Sequence, residues 1–380
     1  MAATDSYAGG DGRLSPLSTP SATRAVLEAH GIGTKYTLGQ NFLVNDDVLK
    51  KIIALAEVGE NDRVLEVGPG IGTLTIALLK HAASVIAIER DPDLPAVLAD
   101  TLHPWREKFA LVEKDALDVT RDDIVVAMVE IGGDTGYPDR ASSAANETAQ
   151  WAVSQSEDCL SESGCPVAPP QEDLQLSLPS KLVANLPYAV AATVVLDYFE
   201  NFPFLDSATI MVQKEVADRM AAAVGTKNYG AYTVKLGLYA EPVGRFAVGP
   251  GNFFPPPRVD SAVIRLNRRV PLMADGAPAS PEVIAAAALM ADAAFTNRRK
   301  TIANSCKTYF SGRGPILLGV ADSSAAEGAP TIALPDGAAT AERLPAIFEA
   351  AAIDPRRRGE TLTQQEFLAL GAALLKVTAA

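Results

Sequence analysis

The chain has 380 residues, of which 48% are hydrophobic and 21% are charged, and its formal net charge is -13. This composition excludes a chain that is disordered throughout and is typical of a folded protein with about two domains. The longest uncharged apolar stretch near its middle, at 283–291, is shorter than the roughly 20 residues of a membrane helix, so no membrane association is predicted.

Signals for export, disulfide bonds and metal binding are weak. The first 21 residues contain no continuous apolar run, which predicts a cytoplasmic protein without a secretory signal. The cysteines and histidines are Cys159, Cys165, Cys306, His30, His81 and His103. The odd number and the scatter of the cysteines argue against a disulfide framework. The histidines neither pair at helical spacing nor lie beside a cysteine cluster, so we predict no metal site.

The charge is unevenly distributed along the chain. Residues 121–180 hold 11 acidic and 2 basic residues, a local charge of -9, whereas residues 207–310 hold 13 basic and 7 acidic residues, a local charge of +6. Phosphate binding depends on the local field and not on the sum over the chain. The acidic total therefore does not exclude a nucleic-acid partner.

Predicted elements alternate between helix and strand in the first part of the chain. Residues 1–22 are predicted to form a flexible tail, because they are rich in Gly, Ser, Ala and Pro. Predicted helices follow at 23–29, 72–79 and 193–199, and predicted strands at 63–67, 84–88, 109–112, 181–184 and 208–212. Short apolar strands that alternate with helices predict an α/β fold with a parallel sheet and helices on both faces.

Two segments interrupt this pattern, and the last part of the chain is predicted to be helical. Residues 131–178 are acidic, rich in Gly, Ser and Pro and without apolar periodicity, which predicts an inserted flexible loop. A second loop is predicted at 321–340. Predicted helices lie at 283–295, 299–309, 341–351 and 364–377. Thr363 and Glu366 match a capping box for the last of these helices.

A glycine-rich sequence, Glu-Val-Gly-Pro-Gly-Ile-Gly-Thr at 66–73, follows a predicted strand and opens a helix. Its glycines allow the backbone to approach a ligand closely. Glu89 ends the next strand, 19 residues after Gly70. A carboxylate at this position can accept hydrogen bonds from both hydroxyls of a ribose. Asp115 ends the third strand and is expected to contact an adenine amino group. These features predict an adenosine-containing ligand. Because Thr73 replaces the third glycine of a dinucleotide fingerprint, NAD is not favoured; a purely structural turn is the alternative.

The sequence Asn-Leu-Pro-Tyr at 185–188 follows the fourth strand, at the carboxyl edge where open α/β sheets bind ligands. The side chain of Asn185 offers a carbonyl acceptor, and Pro187 restricts Leu186 so that its carbonyl lies nearby. Tyr188 supplies a flat face. Two acceptors and a ring predict a site for a planar base with an exocyclic amine.

These motifs, with others in the same order, resemble the KsgA-type small-subunit ribosomal RNA adenine N6-dimethyltransferase family. The matching segments are GQNFL at 39–43, EVGPG at 66–70, IERD at 88–91, DAL at 115–117, NLPY at 185–188, QKEV at 213–216, YG at 229–230, FFPPPRVDS at 253–261 and NRRKT at 297–301. The resemblance implies a Rossmann-like methyltransferase domain at 23–268, followed by a smaller, mainly helical domain at 269–380. It further implies S-adenosylmethionine as the methyl donor, with no metal. The implied substrate is two adjacent adenosines near the 3′ end of 16S rRNA in the 30S subunit.

The resemblance also implies roles for individual residues. The implied donor-binding residues are Gln40, Asn41, Leu43, Gly68, Gly70, Glu89, Asp115, Ala116 and Asn185. The implied target-binding residues are Asn185, Leu186, Tyr188 and Phe253. The basic residues predicted to contact RNA phosphates are Lys214, Arg219, Arg258, Arg298, Arg299 and Lys300. For Arg219, an ion pair with Glu215 one helical turn away is an equally favoured alternative. A monomer is the expected state.

Three other functions are compatible with parts of the sequence. An Erm-type methyltransferase, acting on one adenine of 23S rRNA, shares the fold and the glycine loop. Leu186 and the Arg-Arg-Lys sequence at 298–300 favour the small-subunit type. A factor that assembles the small subunit mainly by binding it is a second alternative, and methylation can accompany such a role. An NAD-dependent dehydrogenase is disfavoured, because no His, Tyr-Lys pair or metal centre for hydride transfer accompanies the glycine loop.

Overall fold

A computed structural model describes residues 12–33, 40–131, 178–319 and 331–379. Residues 132–177, which make up nearly all of the predicted acidic insertion, lie outside these ranges. Among the described helices, none combines the length and the apolar character needed to cross a lipid bilayer.

The described chain alternates between helices and strands up to Arg268 and is mainly helical thereafter. The helices are α1 (Pro20–Ala29), α2 (Asp46–Ala56), α3 (Thr73–Leu79), α4 (Leu94–Thr101), α5 (Arg121–Ile131), α6 (Ala191–Asn201), α7 (Lys214–Met220), α8 (Ala231–Gly237), α9 (Pro281–Phe295), α10 (Ile302–Ser311), α11 (Gly337–Ala350) and α12 (Gln364–Ala379). The strands are β1 (Phe42–Leu43), β2 (Arg63–Val67), β3 (Ser84–Ile88), β4 (Phe109–Val112), β5 (Lys181–Asn185), β6 (Ser207–Gln213), β7 (Ala240–Val248), β8 (Phe253–Phe254), β9 (Ser261–Arg268), β10 (Ile316–Gly319) and β11 (Thr331–Leu334).

A seven-stranded sheet has the strand order β4-β3-β2-β5-β6-β9-β7. Strand β2 pairs in parallel with β3 and β5, and β3 pairs in parallel with β4. Val67 lies opposite Ile88, which lies opposite Val112, so these strands end at one edge. The strands form because their β-branched and aliphatic residues are buried on both faces, as parallel strands require. The predicted Rossmann-like α/β fold and the helical C-terminal region are confirmed.

The chain divides into two compact units. Of the described residues, those within Met1–Ala189, Thr209–Met211 and Val248–Arg258 form the first unit, and those within Val190–Ala208, Val212–Ala247 and Val259–Ala380 form the second. This division differs from the predicted domain boundary at 268. Much of the segment between β5 and β9 groups with the C-terminal helices, because α8 packs against α6, α9 and α12.

The described part of the predicted N-terminal tail is folded, so that prediction was wrong for residues 12–22. The Asp46 carboxylate accepts hydrogen bonds from the backbone amides of Leu14 and Ser15 at 2.8 and 3.2 Å. Leu17 is only 1% exposed. The Thr19 hydroxyl caps α1, which therefore begins before the predicted start.

The predicted loop at 321–340 is also corrected over its described part. Strand β11 pairs antiparallel with β10, and Leu334 is buried opposite Ile316. The Asp336 carboxylate then accepts a hydrogen bond from the Ala339 amide at 2.8 Å and caps α11. The abundance of Gly, Ala, Pro and Asp concealed a short strand followed by a capped helix.

The second unit has an apolar core between its C-terminal helices. Met290, Phe310 and Phe367 are completely buried there. Helix α12 approaches α9 closely, because a β-carbon on Gly371 would lie 2.6 Å from the Val283 carbonyl oxygen. The predicted capping box is present: the Thr363 amide donates to Glu366 Oε2 at 2.7 Å, and the Glu366 amide donates to Thr363 Oγ1 at 3.2 Å.

Candidate active site

The glycine-rich loop between β2 and α3 has a backbone that favours glycine. Gly68, Gly70 and Gly72 have φ angles of 71°, 60° and 89°, in the left-handed region. A β-carbon on Gly70 would also lie 3.1 Å from the Phe42 ring, and one on Gly72 would lie 3.0 Å from Leu102. Phe42 and Leu102 therefore pack closely against the loop.

The glycine loop and the Asn-Leu-Pro-Tyr sequence lie against each other. A β-carbon on Gly68 would lie 3.6 Å from Pro187 Cδ and 3.8 Å from the Asn185 carbonyl oxygen. The Gly68 amide donates to the Ile88 carbonyl at 2.9 Å, which ties the loop to the end of β3. The residues predicted to hold a donor and a target thus meet at one edge of the sheet in the first unit.

A half-buried carboxyl group, Glu89, and a buried one, Glu66, lie at this edge. Glu89 Oε1 accepts hydrogen bonds from the amides of Arg90 and Asp91, both at 2.9 Å. Burial raises the pKa of Glu89, and these amides and that of Gly70 oppose the rise. Burial raises the pKa of Glu66, on β2, to about 8. Burial thus favours the neutral form of both carboxyl groups, and a positive charge placed beside them would lower their pKa.

Asp115 lies beyond the end of β4 in a more exposed position. Its Oδ2 accepts a hydrogen bond from Arg90 Nη1 at 2.6 Å, and its Oδ1 accepts one from the Leu117 amide at 3.1 Å. The hydrogen bond from Arg90 lowers the pKa of Asp115, followed in effect by that from Leu117. The carboxylate is therefore ionised and oriented, and the neighbouring Ala116 is buried.

The segment around β1 crosses the same edge. Gln40 Nε2 donates to Asp91 Oδ2 at 2.7 Å, and the Asn41 carbonyl accepts from Asn185 Nδ2 at 3.2 Å. Leu43 is buried and lies opposite Phe253 in the β1–β8 pair. These three implied donor-binding residues thus contact other predicted site residues or Asp91.

The Asn185 amide has a defined orientation. Because its Nδ2 donates to the Asn41 carbonyl, its Oδ1 is the group that remains to accept a hydrogen bond. Within the described part of the chain, no residue donates to that oxygen. Leu186 is buried and its amide donates to the Met211 carbonyl at 3.1 Å, while Tyr188 is half-buried. This arrangement leaves the amide oxygen of Asn185 oriented to accept a hydrogen bond from a ligand.

Phe253, which the resemblance implies as a target-binding residue, is only 3% exposed. Its neighbour Phe254 is half-buried and lies opposite Phe42 across the β1–β8 pair. The Arg24 guanidinium lies over the Phe254 ring, 5.3 Å from its centroid. The peptide bond between Phe254 and Pro255 is cis.

The basic residues predicted to contact RNA fall into two groups. Arg258, Arg299 and Lys300 are exposed, and Arg299 and Lys300 immediately precede the N-cap of α10, not within that helix as predicted. The other three have partners within the second unit. Lys214 pairs with Asp218 at 2.7 Å, Arg219 with Glu215 at 3.0 Å and Arg298 with Glu360 at 2.8 Å.

Sequence reasoning left four neighbours of the site without a role: Glu66, Phe42, Asp91 and Asn252. The first three occur within the matched motifs, and the Phe42 ring backs the glycine loop. Asn252 immediately precedes Phe253, and its carbonyl accepts from the Val44 amide at 2.8 Å. Only membership of the motifs signalled the first three, and no pattern in the sequence signalled Asn252.

The chain matches the family model described as ribosomal RNA adenine dimethylase over residues 33–329. Ribosomal RNA small subunit methyltransferase A of Geobacillus sp. (strain WCH70) is 33% identical over 363 residues, which cover 95% of this chain and 98% of that protein. The protein of the same name from Enterococcus faecalis (strain ATCC 700802 / V583) is 32% identical over 364 residues, covering 95% and 97% of the two chains.

Solved structures show the same fold. A dimethyladenosine transferase from Plasmodium falciparum superposes with a TM-score of 0.55 at 20% identity, covering 88% of this chain and 98% of that chain. The 23S rRNA methyltransferase ErmE superposes with a TM-score of 0.50 at 20% identity, covering 88% of this chain and 99% of that chain.

From the family match and the similarity of whole chains, this chain belongs to the ribosomal RNA adenine dimethylase family and is a methyltransferase that dimethylates adenine in ribosomal RNA.

Proposed function

We propose that the chain uses S-adenosylmethionine to convert two adjacent adenosines near the 3′ end of 16S rRNA to N6,N6-dimethyladenosine in the 30S subunit. The small-subunit target is supported by the names of relatives that match the chain over nearly its whole length. Because ribosomal subunits are the substrate, we place the activity in the cytoplasm and in small-subunit biogenesis. We propose a monomer, since all of the predicted donor and target residues lie in one unit of one chain.

The residues at the sheet edge fit this donor. The left-handed backbone at Gly68 and Gly70 keeps the loop free of side chains where a ligand would approach. Glu89 would hold the ribose hydroxyls, and Asp115 would accept from the adenine amine. Carboxyl groups at 89 and 115 also suit a donor that carries positive charge. When bound, S-adenosylmethionine supplies a methyl group that its sulfonium has already activated.

The observation that carries the proposal is the orientation of the Asn185 amide by the Asn41 carbonyl. With Nδ2 engaged, Oδ1 would accept a hydrogen from the N6 amine of the target adenine, and the Leu186 carbonyl would accept the second. Two such acceptors favour a more tetrahedral nitrogen, whose lone pair would otherwise be delocalised into the ring. The chain's contribution is then mainly to position that lone pair, an effect that reaches roughly 7–11 kcal/mol in well-oriented systems.

Aromatic residues complete the proposed target site. Positive charge spreads onto the adenine during transfer, and the ring of Tyr188 would stabilise it. Stacking on an aromatic ring contributes about 1–3 kcal/mol per base, which offsets part of the cost of removing the adenine from its RNA stack. Phe253 is proposed as the second ring, although its burial requires that the β8 segment shift when RNA binds.

Exposed basic residues would bind the phosphates of the rRNA. We propose Lys214, Arg219, Arg258, Arg299 and Lys300 for this role, since the side chains of all five are accessible at the surface. Arg298 is assigned to the internal structure of the second unit instead, because its guanidinium is engaged there by three hydrogen bonds.

Transfer of a labelled methyl group tests the substrate and the donor together. Purified protein is incubated with methyl-labelled S-adenosylmethionine and either unmethylated 30S subunits or 50S precursors. We expect label in 30S alone. Label in 50S alone would reject the small-subunit target in favour of an Erm-type one, and donor binding without transfer to either particle would favour a role in assembly.

A further inference from the structure

The segment Gln40 to Asn45, called the strap here, is tied to the first unit by a side-chain hydrogen bond at each end. At one end, Gln40 Nε2 donates to Asp91 Oδ2 at 2.7 Å. At the other end, Asn45 Nδ2 donates to Asn252 Oδ1 at 2.8 Å. Neither Asp91 nor Asn252 belongs to the predicted donor or target residues.

The first tie leads to the proposed donor site. Asp91 is only 2% exposed, and its amide donates to Glu89 Oε1 at 2.9 Å. Its other carboxylate oxygen, Oδ1, accepts from the Asp93 amide at 3.2 Å. Asp91 therefore binds Gln40 with one carboxylate oxygen, while its backbone amide orients Glu89, the residue proposed to bind the ribose.

The second tie leads to the proposed target site. Asn252 Nδ2 donates to the Gly249 carbonyl at 2.8 Å, and its backbone carbonyl accepts from the Val44 amide at 2.8 Å. The next residue, Phe253, lies opposite Leu43. Asn45 cannot simply rotate to other partners, because its Oδ1 accepts from two amides at the start of α2. Asn252 thus contacts the end of the strap through both its side chain and its backbone carbonyl, next to the β1–β8 pair.

Between its ends, the strap contacts both halves of the site. The Asn41 carbonyl accepts from Asn185 Nδ2, and the Phe42 ring lies behind Gly70. A displacement of one end of the strap should first disturb the half of the site next to that end. The Gln40–Asp91 hydrogen bond lies beside the proposed donor site, and the Asn45–Asn252 hydrogen bond lies beside the proposed target site.

We propose that Asp91 and Asn252 are positioning residues at opposite ends of the strap, Asp91 for binding of the methyl donor and Asn252 for productive placement of the target adenine. This inference rests on the proposed function for the identity of the donor. Neither residue touches the reacting atoms; each acts through the strap.

Two single variants separate the ends. Asp91→Asn presents an NH₂ group to Gln40 Nε2 or to the Asp93 amide, so we expect the dissociation constant for S-adenosylmethionine to rise about tenfold. At saturating donor, its single-turnover rate on ribosomal subunits should stay within twofold of the wild-type rate. Asn252→Ala should leave the donor dissociation constant within twofold and lower kcat/KM for the subunit about tenfold.

Two further variants test the mechanism rather than the fold. Gln40→Glu combined with Asp91→Asn exchanges donor and acceptor at the first tie, so donor affinity should recover to within threefold of wild type. Asn45→Asp keeps an equally good cap on α2 but cannot donate to Asn252, so it should reproduce the loss of kcat/KM seen in Asn252→Ala. Thermal unfolding of each variant accompanies these measurements.

The inference is overturned if Asp91→Asn and Asn252→Ala change donor affinity and kcat/KM by the same factors, or if neither constant changes. Each constant is compared with the wild-type value, and both are measured on the ribosomal subunit that the wild-type protein methylates. Failure of the proposed function would instead appear in the wild type, as transfer to another subunit or as absence of S-adenosylmethionine binding.

Discussion

The sheet edge of the first unit and the Asn-Arg-Arg-Lys segment at 297–300 of the second unit were both identified by motif, yet their polar groups are used differently. Asn185 Oδ1 has no donor among the described residues. Arg298, in contrast, donates from Nε to Glu360 and from its two terminal nitrogens to the carbonyls of Lys227 and Thr226. Membership of a motif therefore locates a residue, and its hydrogen bonds decide between a ligand-binding and a structural role.

The largest effect is expected from Asn185→Ala, which tests the first side of this comparison. Removing the amide oxygen that would position the target nitrogen should reduce methyl transfer at least about 100-fold, because misplacement of a reacting group has costs of that size. Donor affinity should stay within about threefold. Calorimetric titration with S-adenosylmethionine and a methylation assay measure the two quantities.

The matched control is Asn201→Ala, which removes an exposed amide whose Nδ2 donates to Asp197 at 2.9 Å. It should methylate at the wild-type rate. Undiminished transfer by Asn185→Ala would remove Asn185 from the mechanism.

A half-buried acid, Glu200, extends the comparison to the second unit. Burial raises the pKa of Glu200 to about 7, Lys235 opposes the rise, and Asp197 and Asp292 add to it. A carboxyl whose pKa is higher in the folded state contributes no penalty below its unfolded pKa of about 4.5, and it destabilises increasingly as pH rises through about 7. Glu200→Gln should therefore raise the free energy of unfolding by about 2–3 kcal/mol at pH 8, with little gain at pH 4.5.

Urea unfolding at several pH values measures this gain. The control is Glu215→Gln, because the side chain of Glu215 is 77% exposed, and it should show no such trend. A gain for Glu200→Gln that is independent of pH would show that ionisation is not its cause.

The smallest effects separate two adjacent arginines. Arg298→Ala loses three hydrogen bonds in a half-exposed position and should lower the free energy of unfolding by about 1–2 kcal/mol. Arg299→Ala should change stability by less than about 0.5 kcal/mol. It should instead reduce the slope of log affinity for the ribosomal subunit against log salt by about one. Equal stability losses, or an unchanged slope for Arg299→Ala, would contradict the assignment of these two roles.

The sequence predicts best those features that depend on local pattern. Strands β2, β3 and β4 have their predicted bounds, because each is a short apolar run buried in the sheet. The start of α1 was predicted too late, since its true start depends on a cap by Thr19 and on docking of the preceding segment against Asp46.

Contacts between distant segments could not be predicted. The Asn45–Asn252 hydrogen bond joins residues 207 positions apart, and those of Arg298 reach back 71 and 72 positions. The burial of Phe253 also depends on its pairing with β1. Such pairings are set by the tertiary fold, and neither periodicity nor motif spacing encodes them.

The most direct test of the central claim is mass spectrometry of 16S rRNA after incubation of the wild-type protein with S-adenosylmethionine and unmethylated 30S subunits. The account predicts N6,N6-dimethyladenosine at two neighbouring positions near the 3′ end, and none when Asn185→Ala replaces the wild type. Methylation confined to a single adenosine, to another region of the rRNA, or to the same positions in the variant would contradict it.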